Sequence, residues 1–272
     1  MSVGSRMHDI MSQGPPEQST SRTIGSLEKS LNILEELLTT RDATVSEIAT
    51  AVEMSPASVH HHLATLEARG YVENEGGTYR LGIQFLPLGG AARFQREIYQ
   101  ISRDAIEDLA HDLDATARLV VEDRGYGITV YNVGRAGPSR EEIHLGTREY
   151  LHGTAAGKAL LAEFSPERRR RIFDSIGLPQ LTENTITDRQ SLESELITVE
   201  AQGTAFDREE SFDGIICVAR AITTEQGDPV GAISVSDAID DRDQEWFFET
   251  AAEAVKNKAG VIQLNITYSD WA

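Results

Sequence analysis

Leucine recurs at helical intervals after Ser26: Leu27, Leu31, Leu34, Leu37 and Leu38. That period behind a serine cap predicts a first helix of about three turns. A second begins at Thr44, where TVSE forms a capping box of Thr44 with Glu47 ahead of an apolar stripe of Val45, Ile48, Ala49 and Val52. A third opens at Ser55, an N-cap followed by Pro56 in the first helical position, and ends at Arg69-Gly70. Two short alternating runs follow, Tyr71 to Asn74 and Thr78 to Leu81, joined through Gly76-Gly77 as a hairpin. Three short helices, a tight turn between the last two, and a hairpin are the layout of a winged helix-turn-helix over residues 23 to 84.

Residues 85 to 99 read as a linker helix interrupted by Pro87 and Gly89-Gly90, and a longer helix follows with Ile101, Ala105, Ile106, Leu109 and Leu113 inward. Beyond it, strands are expected at 117 to 123, 127 to 133, 204 to 207, 214 to 222 and 230 to 237. Helices are expected at 155 to 163, 166 to 175, 191 to 201 and 243 to 264. The fold class is therefore α+β, with residues 100 to 272 forming a mixed sheet with helices against it, an architecture suited to a small-molecule pocket. Residues 1 to 22, rich in Ser, Gly, Gln and Pro without apolar period, read as a disordered lead-in carrying no site.

Composition narrows the chemistry. The 272 residues suffice for two domains, and 40% hydrophobic content supplies a substantial core. No apolar run reaches the roughly 20 residues of a membrane span, and no basic-then-apolar leader opens the chain, so the expected location is cytoplasmic. The single cysteine, Cys217, excludes a disulfide framework and multi-cysteine zinc sites. Acidic residues number 44 against 25 basic, a net charge of −19, and only Lys29, Lys158, Lys256 and Lys258 are lysines. This balance suits a salty, halophilic archaeal cytosol, where a Debye length of about 3 Å at 1 M screens self-repulsion. An ordinary acidic cytosolic protein is the alternative.

The third helix carries three consecutive histidines, His60, His61 and His62. Successive residues turn about 100° on a helix, so the three side chains diverge and cannot hold one ion. Val59, Leu63 and Leu66 define its buried stripe; His62 flanks that stripe as a half-buried packing residue, while His61 falls nearly opposite, close to Ala57, Ser58 and Thr65, with His60 on a shoulder. The second helix of a helix-turn-helix enters the major groove N-terminus first, which makes Ser55, Ala57, Ser58, His60, His61 and Thr65 the candidate DNA contacts. A merely solvated His61 is the competing reading. Tyr79 and Arg80, near the hairpin tip, are candidates for phosphate or the minor groove, or else ordinary sheet-face residues. Residues 23 to 86 hold only Lys29, Arg41, Arg69 and Arg80 against nine carboxylates, so any footprint relies on direct contacts, helix N-termini and dimeric avidity.

These residues resemble the isocitrate lyase regulator (IclR) family of transcription factors. In the N-terminal part the likeness is carried by SLEKSLNILEELL, VSEIATAVEMSPASVHHHLATLEARGYVE and YRLG; in the C-terminal part by LHGTAAGKALLA, GTAFDREESFDGIICVARAI and GAISVSDA. The resemblance implies a linker helix, a GAF-like α/β effector-binding domain, homodimers or homotetramers, and double-stranded operator binding altered by a small metabolite, often an organic acid or aromatic compound. It places the effector at Ala155, Ala156, Asp207, Cys217, Ser234 and Ser236. Two departures stand in the recognition helix: His61 replaces the family's usual arginine, and His62 the leucine after it.

The residues themselves allow a similar pocket. Thr154 caps a helix whose first turn, Ala155-Ala156-Gly157, is small enough for a carboxylate to approach backbone N–H groups at the positive end of the dipole. Ser234 and Ser236 alternate and so share a face. Asp207 would repel such an anion unless it accepts from a hydroxyl or carries a proton. Packing of small residues near a sheet is the plainer alternative. Cys217, inside the apolar run IICVA, reads as an inert buried thiol; His144 and His152 are not placed beside it by any motif, so no catalysis, metal or cofactor is expected. A protein-binding scaffold with a repurposed winged helix remains the alternative to a repressor-type, ligand-controlled DNA-binding regulator.

Overall fold

A computed structural model describes residues 23–134, 145–239 and 243–269, so the lead-in and His144 lie outside the described residues. The chain divides between Gln95 and Arg96 into two compact units.

In the first unit, α1 (Gly25–Thr40), β1 (Asp42–Thr44), α2 (Val45–Ala51) and α3 (Pro56–Ala68) precede the wing strands β2 (Val72–Glu75) and β3 (Thr78–Leu81). Helix α1 is capped at Ile24 without a side-chain bond, and Ser26 lies inside the first turn, contrary to the expected serine cap. Its inward stripe is Ile33 and Leu37; Leu27, Leu31 and Leu38 of the expected stripe are exposed. The capping box of α2 is present, and the Ser55 hydroxyl accepts from Ser58 N at the start of α3. Gly76 and Gly77 take positive φ values of 63° and 97° at the hairpin turn, a backbone state that glycine adopts without Cβ strain. Sequence patterning missed β1, which pairs antiparallel with β3 and places Ala43 opposite Tyr79. The core gathers Ile33, Leu37, Ile48, Val59, Leu63, Val72 and Tyr79.

The expected interruption at Pro87 and Gly89-Gly90 is absent: α4 (Phe85–Phe94) runs through both. Pro87 lies in the first turn, where its missing N–H has no intrahelical acceptor to lose. Tyr99 belongs instead to α5 (Glu97–Leu113).

The second unit follows α5 with β4 (Thr116–Asp123), β5 (Tyr126–Val133), β6 (Arg148–Tyr150), a 3₁₀ turn (Leu151–Gly153) and α6 (Ala155–Glu163). Then come α7 (Pro166–Ile176), α8 (Arg189–Gln202), β7 (Ala205–Arg208), β8 (Ile215–Thr223), β9 (Pro229–Ala238) and α9 (Gln244–Ser269). Every pairing in the six-stranded sheet, ordered β6-β5-β4-β9-β8-β7, is antiparallel, so the expected mixed sheet is corrected. Leu119, Val121, Val218, Ile233 and Val235 pack one face against α5 and α9. The other face meets α6 and α8 through Val120, Cys217, Ala219 and Ala232. Alternation along each strand creates these two faces.

Candidate functional site

Helix α3 turns Val59 and Leu63 into the core and leaves Ala57, His60, His61 and Thr65 exposed, with Ser58 partly covered. His62 is half-buried, and its Nδ1 lies 2.8 Å from the Ser30 hydroxyl of α1. The three imidazoles thus point to different surroundings, and no cluster of metal-ligating residues occurs among the described residues. Ser55 is exposed but its hydroxyl caps the helix; the Thr65 hydroxyl donates to His61 O.

The wing corrects one expectation. Tyr79 is 5% exposed and packs in the core, because β3 turns it into the cluster it shares with Ile33, Leu37 and Ala43 rather than outward. Arg80 on the opposite face is exposed, but its guanidinium is held by both Glu73 and Glu75. These two carboxylates raise its pKa further and compensate its charge.

In the second unit the expected effector residues meet on the sheet face beneath α6. Asp207, Cys217 and Ser236 form one cross-strand row over β7, β8 and β9; Ser234 stands in the next row, between Ala219 and Arg118. Thr154, Ala155, Ala156, Asp207, Cys217, Ser234 and Ser236 are all buried. The Thr154 hydroxyl accepts from Gly157 N at 3.0 Å, as expected of a cap. The small first turn, however, does not open the helix end to a ligand. A Cβ on Gly157 would lie 2.1 Å from Leu151 O, so the space is filled by the chain's own 3₁₀ turn.

Asp207 is explained by its local bonds. It accepts from the backbone N–H groups of Glu210 and Ser211 and from the Ser211 hydroxyl, folding the loop after β7. Burial raises its pKa to about 6 despite the Ser211 bond. Burial likewise pushes the Cys217 thiol up to about 12, which keeps it protonated and unreactive at neutral pH. His152 is buried, donates Nε2–H to Pro179 O, and has its pKa lowered by burial.

Sequence reasoning missed two buried ion pairs here. Arg118 Nη1 lies 3.3 Å from both oxygens of Glu149, each residue being under a tenth exposed. Lys158, fully buried, reaches Glu210 at 2.6 Å and Glu195 at 3.5 Å. The signal for Lys158 was present, since a helix of AAGKALLA has no polar face on which a lysine could remain wet. Two clefts, of about 580 and 520 Å³, flank Phe206 and Arg208; neither is lined by Thr154 or Ser234.

A winged helix presenting its third helix, followed by a sheet unit with a buried polar face, defines a DNA-binding transcriptional regulator. Residues 26–76 match the IclR helix-turn-helix domain, and residues 91–263 match the bacterial transcriptional regulator IclR C-terminal domain. The chain belongs to the IclR family. It is 33% identical over 219 residues to the probable HTH-type transcriptional regulator ArcR of Halobacterium salinarum, covering 79% of this chain and 83% of that one. It is 30% identical to the HTH-type transcriptional regulator BhcR of Paracoccus denitrificans, covering 78% and 77% respectively. The Thermotoga maritima IclR crystal structure superposes with a TM-score of 0.71 at 28% identity, covering 89% of this chain and 99% of that one. Among the described residues no helix is long and apolar enough to cross a membrane.

Proposed function

We propose that this regulator reads a double-stranded operator through α3 as a cytoplasmic homodimer, and that a small molecule held beneath α6 changes its operator affinity. The exposed row Ala57, His60, His61 and Thr65, opposite a buried stripe, carries the reading. Ala57 supplies apolar contact for a thymine methyl, while the two imidazoles offer hydrogen bonds to base edges or phosphates. Ser55 supports this face as the cap that fixes where α3 begins. With Arg80 held by carboxylates, the wing contributes shape more than charge.

Self-association is supported by a second stripe on α1. Leu27, Leu31, Leu34 and Leu38 follow the 4-3-4 spacing of a two-helix seam, and three of them are 39–56% exposed. A twofold dimer would present two α3 helices to the half-sites of a palindrome. An effector alters operator affinity only if it binds the DNA-competent and DNA-incompetent states unequally.

Fluorescence anisotropy with a duplex from the chain's own upstream region, at raised KCl and with excess unrelated DNA, tests the proposal. Saturable binding that survives competitor is expected. Equal affinity for the two duplexes would overturn specific operator recognition.

A further inference from the structure

Three polar side-chain atoms on the inner sheet face, the one beneath α6, are buried without a hydrogen-bond partner: Arg118 Nε, Thr129 Oγ1 and Ser234 Oγ. Arg118 is directly opposite Ser234 across β4 and β9. Thr129 is opposite Val120, two positions along β4 from Arg118, and therefore shares their face. Arg118 is 5% exposed and the other two are fully buried. Such orphans are rare, because a buried donor or acceptor without a partner has given up its hydration for nothing. Their concentration on one patch calls for a common partner.

Charge decides what that partner is. Arg118 is already compensated by buried Glu149, and Lys158 by Glu210. Asp207 adds a carboxyl group to the same face. The positive end of α6 is closed by the Thr154 cap and the Leu151 backbone. An incoming carboxylate would have to displace Glu149 or share its guanidinium, leaving a negative charge poorly compensated in the interior. An uncharged oxygen carries no such cost: it can accept from Arg118 Nε–H and exchange hydrogen bonds with the two hydroxyls.

We infer that the inner face binds an uncharged small molecule bearing hydroxyl or carbonyl oxygens, held by Arg118, Thr129 and Ser234. This rests on the reading of the second unit as an effector site, and replaces the carboxylate suggested by the Thr154 cap.

The test is thermal shift and calorimetry on the full chain with glycerol, erythritol and D-ribono-1,4-lactone, each against its matched carboxylate: glycerate, erythronate and ribonate. At least one neutral compound should raise Tm at millimolar concentration while its carboxylate does not. Thr129→Val and Ser234→Ala, which remove orphan hydroxyls, should fold with undiminished stability yet weaken that binding at least tenfold, and Thr129→Ser should restore it. Stabilisation by carboxylates alone, lost in Ser234→Ala, would keep the effector site and overturn its uncharged class. Stabilisation that survives both substitutions would overturn the site itself. No shift with any neutral member would overturn the ligand assignment.

Discussion

The carbonyl oxygen of Leu151 would stand 2.1 Å from a Cβ at position 157, so Gly157 is the residue that lets the 3₁₀ turn lie against α6. On an exposed helix, Gly→Ala stabilises by roughly 0.5–1 kcal/mol. Here the sign reverses, because backbone cannot yield as a flexible side chain does. Gly157→Ala should destabilise the second unit by about 1–3 kcal/mol, the usual cost of overpacking. Urea denaturation followed by circular dichroism checks this, and a rise in stability would contradict the packing.

His61 and His62 should respond differently to truncation. His61→Ala removes an exposed side chain and should weaken specific operator binding by about 1–3 kcal/mol without changing Tm. His62→Ala removes the bond to Ser30 and should lower stability by roughly 1 kcal/mol. Anisotropy and thermal melts on both variants separate a recognition residue from a packing residue. Unchanged affinity at matched salt would remove His61 from the interface.

Operator affinity should fall with salt along a bounded slope. Residues 23 to 86 carry four basic side chains, of which Arg80 is already paired with Glu73 and Glu75. If Lys29, Arg41 and Arg69 each neutralise one phosphate, log K falls with log salt at a slope no steeper than about −3 per chain. Titrations between low and molar KCl measure it, and a much steeper slope would reveal a basic footprint elsewhere.

Asp207 should imprint a characteristic pH dependence. Its folded pKa of about 6 exceeds the ordinary 3.8, so the folded state binds the proton more tightly. Its contribution to stability is fully present below about pH 4 and is lost as pH rises through about 6, amounting to roughly 3 kcal/mol. Comparing wild type with Asp207→Asn across this window isolates the group. The wild type should lose stability relative to the variant as pH rises, and parallel curves would show that the carboxyl group does not titrate there.

The capping box at Thr44, the proline start of α3 and the hairpin glycines were legible because each is a local signal. Tyr79 stays open in the sequence between a wing contact and a sheet-face residue, since β1 supplies the neighbouring strand that fixes which side of β3 is inward, and a three-residue strand has no detectable period. The spacing of Leu27 and Leu31 shows that a stripe exists, whereas only tertiary packing shows which of two stripes the monomer buries. Ser234 and Ser236 were correctly assigned to one face by alternation, but Arg118 emerged only through strand order, which brings β4 beside β9 across more than a hundred residues.

The alternation of β9 also acts as a register lock. Slipping it by one residue would press Ser234 and Ser236 into the greasy layer under α5 and α9 while turning Ile233 and Val235 onto the Arg118–Glu149 pair. Two apolar side chains lost from that layer and laid instead against a desolvated ion pair would both oppose that shifted sheet, so the pattern favours a single strand alignment even before anything binds.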